Sequence, residues 1–103
     1  MVKITISRSS EGKLTSLLVE GHANSAPHGE DLVCAGVSAI TFGGLNALSN
    51  PKDYKFDVKD GRVEVTIKNV ITPHDEAVFD TMLIQYKTIA EENPKFIKIY
   101  EKG

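Results

Sequence analysis

The sequence predicts an α+β fold of order ββαββαβ, a mostly antiparallel sheet with two helices packed against it. Short segments of alternating or β-branched residues read as strands, and two longer segments bracketed by cap and stop residues read as helices. Short turn signals join successive strands, so hairpins dominate the connectivity and favour antiparallel pairing.

Val2 to Ser7 sets Val2, Ile4 and Ile6 against Lys3, Thr5 and Ser7, the period-two pattern of a half-buried strand. Glu11-Gly12 supplies a turn, and Leu14 to Glu20 reads as the returning strand, ending at Gly21-His22. Ala23 to Glu30, containing Asn24, Ser25, Pro27 and Gly29, has the composition of a mobile loop and no apolar period. From Asp31 to about Ser49 the chain reads as a helix, with Asp31 as N-cap and Asn50-Pro51 as the stop. Apolar and small residues nearly encircle it, which predicts a helix covered on more than one side and almost fully buried. Gly36, Gly43 and Gly44 within it suggest close approach of another backbone.

Two more strands, Tyr54 to Val58 and Arg62 to Lys68, flank Asp60-Gly61, a tight-hairpin signal. Thr72-Pro73-His74-Asp75-Glu76 then sets a cap, a first-turn proline and two carboxylates where they complement the positive end of a helix dipole. This second helix runs to about Glu92, with Val78, Met82, Tyr86, Ile89 and Ala90 on one stripe, and Asn93-Pro94 stops it. Phe96 to Tyr100 forms the last strand.

A chain of 103 residues with 41% hydrophobic and 25% charged residues fits one domain, residues 1–103. Its 14 acidic and 12 basic residues and formal net charge of -2 argue against broad binding to a phosphate backbone, so no direct nucleic-acid partner is expected. No apolar run approaches the roughly 18–20 residues that span a bilayer, and no basic segment precedes an apolar stretch at the N-terminus, so a cytoplasmic protein with no membrane partner is expected. One cysteine permits neither an intrachain disulfide nor a cysteine-rich zinc site, which suits a reducing compartment.

That cysteine is placed for chemistry. Cys34 falls about three residues inside the expected helix, where unsatisfied amides and the positive dipole end favour an anion. Asp31, Cys34, Ser38 and Thr41 recur at spacings of three and four, a polar stripe on an otherwise apolar helix. His22 stands where the second strand ends, and a short loop leads from it back to the cysteine helix, so the two side chains can meet. An imidazole is suited to accept a thiol proton near neutrality, and the amides at the helix start can hold the oxyanion formed when sulfur attacks a carbonyl. The implied reaction class is acyl transfer. Each residue also has a plainer reading: Cys34 as small core packing, Asp31 as a cap, Ser38 bonded to a carbonyl one turn back, His28 and His74 as solvated surface residues. A metal site pooling His22, His28, His74 and Cys34 lacks a close ligand pair such as His-x-x-x-His on a helix.

Gly21-His22-Ala23, the loop with Gly29, Asp31-Leu32-Val33-Cys34-Ala35-Gly36-Val37-Ser38, then Phe42-Gly43 and Asn46-Ala47 together resemble the ribosomal-processing cysteine protease (Prp) family of Firmicutes and related bacteria. The resemblance covers essentially the whole chain. It implies a cysteine endopeptidase that removes a short N-terminal extension from a large-subunit ribosomal protein, with Cys34 as nucleophile, His22 as general base, and Asp31 and Ser38 as supporting polar residues. It implies as well that the loop is a mobile cover hinged at Gly21 and Gly29, that the protein is a homodimer, and that no cofactor or metal is needed. His28 is not part of the family pattern. The competing reading is a non-catalytic ribosome-associated assembly protein in which Cys34 is buried packing.

Overall fold

Alternation in the first strand sets the two faces of the sheet. In a computed structural model, which describes residues 1–21 and 29–103 (29–31 by backbone alone), strand β1 (Val2–Arg8) buries Val2, Ile4 and Ile6 and turns Lys3 outward. It pairs antiparallel with β2 (Leu14–Glu20), with Ile4 opposite Val19 and Ile6 opposite Leu17. Helix α1 (Gly29–Asn46), a single 3-10 turn (Pro51–Asp53), β3 (Tyr54–Lys59), β4 (Arg62–Ile67), helix α2 (Pro73–Glu92) and β5 (Ile97–Lys102) follow. The order ββαββαβ is the one expected; the 3-10 turn, built on an Asn50 side chain that accepts from the Lys52 amide, was not.

The strands lie in the order β3-β4-β2-β1-β5. Both hairpins and the β2-β4 pair are antiparallel, while β5 pairs parallel with β1, so the sheet is mostly antiparallel with one parallel edge. Registered neighbours share a face: Leu17 opposes Val65, Val19 opposes Val63 and Val2 opposes Ile97. These apolar residues form one core with Phe79, Met82, Leu83 and Tyr86 of α2 and Val33 and Val37 of α1.

Helix α2 has the start its sequence signals. The Thr72 side chain accepts from the Asp75 amide at 3.1 Å, Pro73 opens the first turn, and Asn93 closes the helix. Asp75 does more than complement the dipole. Buried, it accepts the Ser49 amide and the Ser49 hydroxyl at 2.9 Å each and the Tyr54 hydroxyl at 2.6 Å, which ties the exit from α1 and the start of β3 to the head of α2. Burial pushes its carboxyl up, but the bonds from Tyr54 and Ser49 outweigh that and hold it below the usual carboxylate range.

Helix α1 departs from expectation in three ways. It starts at Gly29, so Asp31 is its third residue and not its N-cap; an acidic residue type suits a first-turn position as well as a cap, so residue type alone does not fix the start. It ends at Asn46 and not near Ser49, because the Ala47 and Leu48 amides turn back to Gly44 and Leu45 in tight i to i+3 bonds. It is also less buried than its composition predicts: Val33, Val37 and Thr41 are enclosed, but Leu32 is 75% exposed and Phe42 43%. Sheet and α2 cover one side of it, and its outward stripe of Leu32, Ala35, Ala39 and Phe42 is apolar yet uncovered in the single chain. Where α1 crosses α2, a Cβ on Gly44 would collide with the Met82 side chain and one on Gly36 would stand 3.0 Å from Ile89, so these glycines of α1 make room for side chains of α2 and not for the expected second backbone, while Gly43 faces open space. No helix among the described residues is long and apolar enough to cross a membrane.

Candidate active site

Strand β2 is followed by Gly21, whose φ of +94° lies in the left-handed region open to glycine. Its amide donates to the Gly61 carbonyl at 2.9 Å, and an added Cβ would collide with the Met1 carbonyl. The strand end is therefore clamped between the chain start and the Asp60-Gly61 turn, and the chain leaves it directly into His22.

Across from this strand end stands the polar edge of α1. Cys34 is the sixth residue of the helix, half-buried and packed against the core; Ser38 is exposed and Thr41 buried. The cysteine lies deeper in the helix than its expected third position, so its own amide belongs to the helical ladder, and the unsatisfied amides are those of the turn before it. Helix side chains lean toward the N-terminus, which brings that turn within reach of the sulfur side of the residue.

Cys34, Ser38, Thr41 and Phe42 line one cleft of about 320 Å³. Val2, Val19 and Val63 give it an apolar floor, Gly21 is in one wall, and Lys59, Asp60 and Arg62 of the β3-β4 turn form the facing rim. The structure thus brings together Cys34, Ser38, Thr41 and Gly21 from the residues singled out in the sequence. His22 and His28 lie outside the described residues. Asp31 is placed by its backbone in the first turn of α1, and its side chain also lies outside what is described. His74 is far from this cleft in role: exposed in the first turn of α2, its Nε2–H donates to the Ala47 carbonyl at 2.9 Å and helps close the end of α1.

The rim residues were missed by sequence reasoning, which read Asp60-Gly61 as a turn and nothing more. No local pattern could mark them, because their place beside α1 follows from β4 pairing with β2. Arg62 is held at the rim by Asp57 at 3.2 Å and Glu64 at 3.4 Å, half-exposed pairs that orient the guanidinium more than they stabilise the fold. A larger hollow of about 500 Å³ opens at the other end of the sheet, between the β1-β2 turn and the first turns of α2. It contains none of the candidate residues, so chemistry and not size selects the smaller cleft.

Comparisons with known proteins identify the family to which the chain belongs. The family model described as Cysteine protease Prp matches residues 1–98. A Staphylococcus aureus protein named ribosomal processing cysteine protease Prp is 37% identical over 108 residues, covering 99% of this chain and 100% of that protein. The crystal structure of an essential ribosomal processing protease Prp from S. aureus, in complex with a covalently linked product peptide, superposes with a TM-score of 0.86 at 29% identity, covering 99% of this chain and 100% of that one. A second structure of the S. aureus protease, in complex with a substrate peptide, superposes with a TM-score of 0.81 at 27% identity and the same coverage.

Proposed function

Since the chain belongs to the cysteine protease Prp family, we propose that Cys34 is the nucleophile of its peptidase reaction and that His22 is the base that activates it. One observation carries the reading: the chain has one cysteine, and that residue lines a cleft whose opposite wall ends in Gly21, the residue before His22. The thiol proton passes to the imidazole and the sulfur attacks the scissile carbonyl carbon. The oxyanion so formed is held by the unsatisfied amides in the first turn of α1. As the C–N bond breaks, the imidazolium returns its proton to the leaving amine. Water, deprotonated by the same imidazole, then cleaves the thioester and restores the thiol. Nucleophile, base and water suffice, so the reaction draws on no cofactor.

Asp31 and Ser38, three residues before and four after Cys34, flank it on the same helix edge and support the site by orienting His22 or holding the peptide. Gly21 and Gly29 bound the segment between strand and helix, and the expected cover formed by that segment lies outside the described residues. The substrate is a large-subunit ribosomal protein precursor, from which the enzyme removes an N-terminal extension in the cytoplasm during ribosome assembly. The chain works as one protease domain, and its uncovered α1 stripe is the surface through which two copies pair as a homodimer.

Mass spectrometry of an extended ribosomal protein incubated with wild-type, Cys34→Ser and His22→Ala protein tests substrate and nucleophile together. Wild type should release the extension as one peptide, and both variants should leave the precursor intact while keeping the wild-type circular dichroism spectrum. Undiminished cleavage by either variant would remove the dyad.

A further inference from the structure

The polar edge of α1 contains a residue that the proposed reaction does not use. Thr41 is buried, and its Oγ1 makes two hydrogen bonds, to the Val37 carbonyl at 2.7 Å and to the Tyr86 hydroxyl at 2.6 Å. The direction of both bonds follows from proton count. A carbonyl only accepts, so the single Thr41 proton goes to Val37, and Tyr86 must be the donor to Thr41. Tyr86 is fully enclosed, and burial pushes its hydroxyl up to about 12, so the donor keeps its proton throughout the neutral range.

We infer that Tyr86, acting through Thr41, is a positioning residue that sets the rotation of α1 about its axis and so the place of the Cys34 sulfur in the cleft. The inference rests on the reading of Cys34 as nucleophile. Helix α1 is apolar or small on nearly every side, so hydrophobic burial alone selects no single rotation. Within α1 itself, the other contacts described across the α1-α2 seam, Gly36 with Ile89 and Gly44 with Met82, are apolar and non-directional; the polar bonds of His74 and Asp75 reach Ala47 and Ser49, beyond the end of the helix. A buried, fully satisfied polar pair penalises every rotation that separates its members, because each would leave an unpaired hydroxyl in the core.

Helix geometry carries the constraint from Thr41 to Cys34. Seven residues at about 100° each turn the helix through about 700°, so the two residues point within about 20° of the same direction, two turns apart. Both line the cleft. Fixing the azimuth of one fixes that of the other. For an atom about 5 Å from the helix axis, a rotation of about 12° is a shift of about 1 Å, enough to take a nucleophile out of attack geometry. The same rotation leaves the apolar floor and the Lys59-Arg62 rim where they are, so peptide binding is kept while the chemical step is slowed.

The test is a kinetic split. Tyr86→Phe, which keeps the ring and removes the donor, should lower kcat for an extended peptide about ten-fold or more with KM changed by less than about two-fold. Thr41→Ser, which keeps the hydroxyl, should retain kcat within about two-fold, whereas Thr41→Val should behave as Tyr86→Phe does. Each variant is assayed at a temperature where circular dichroism shows it folded; should Tyr86→Phe not fold, the Thr41→Ser and Thr41→Val pair is read the same way. A folded Tyr86→Phe or Thr41→Val enzyme with wild-type kcat, a change confined to KM, or failure of Thr41→Ser to retain activity would overturn the inference. Undiminished cleavage by Cys34→Ala would instead remove the nucleophile assignment, so the two failures are distinguishable.

Discussion

Gly21 shows how one residue can be required at a site without touching substrate. Its positive φ, its amide bond to Gly61 and the nearness of the Met1 carbonyl leave no room for a side chain. Gly21→Ala therefore combines left-handed backbone strain with a collision against backbone, and should cost about 1–3 kcal/mol of stability. The strand end must shift to relieve it, and His22 is the next residue, so kcat/KM should fall further than stability alone accounts for when both are measured below the variant's melting temperature. Much of the site's composition was legible at this scale. Cys34 and Ser38 were marked by type and spacing and Gly21 by the family resemblance; all three line one cleft. What escaped were partners distant along the chain: Thr41 read as part of a polar stripe, and nothing local pointed to Tyr86, 45 residues on, as its hydrogen-bond partner. Asp75 likewise read as a dipole partner until Ser49 and Tyr54 were seen to converge on it.

Elements were legible where the signal is local. The β1-β2 and β3-β4 hairpins, the Thr72 cap and the Asn93 stop stand where the residues place them, because turns and caps depend on near neighbours. The order of strands was not, since the parallel pairing of β5 with β1 depends on where α2 carries the chain. Cap strength can be measured directly. Thr72→Ala removes the acceptor for the Asp75 amide and should lower unfolding free energy by about 1 kcal/mol in urea titration, with an unchanged m-value. The α1-α2 crossing gives a test in which two effects oppose. Gly44→Ala gains about 1 kcal/mol of helix propensity, but its Cβ meets Met82 near the base of the side chain as well as at its tip, and overpacking costs about 1–3 kcal/mol. Net destabilisation is expected; a stabilised Gly44→Ala protein would show that Met82 repacks freely.

At the scale of the whole molecule, the exposed α1 stripe bears on the proposed pairing of two copies, and the Asp75 hub on the response to pH. Leu32 is 75% exposed on a helix apolar around most of its girth, and a second copy covering it would bury that side chain. Sedimentation equilibrium should find a dimer for the wild type and a shift toward monomer for Leu32→Glu; a monomeric wild type would reassign the stripe.

Acid stability follows from a carboxylate held below its ordinary value of 3.8. Because the folded form binds the proton less readily than the unfolded chain, the stability Asp75 contributes is fully present above the unfolded value. It is lost as pH falls through the lower, folded one. Protonation there removes the charge that Tyr54 and both Ser49 donors address, at the point where α1, β3 and α2 are tied together. Asp75→Asn should therefore be less stable than wild type at pH 7 by about 2 kcal/mol, because an amide presents one acceptor oxygen to three donors. Its stability should also change less between pH 5 and pH 3, so that the two urea midpoints converge on acidification. Parallel curves across that range would mean that the carboxylate titrates alike in folded and unfolded chains, and that its three bonds add nothing beyond what an amide supplies.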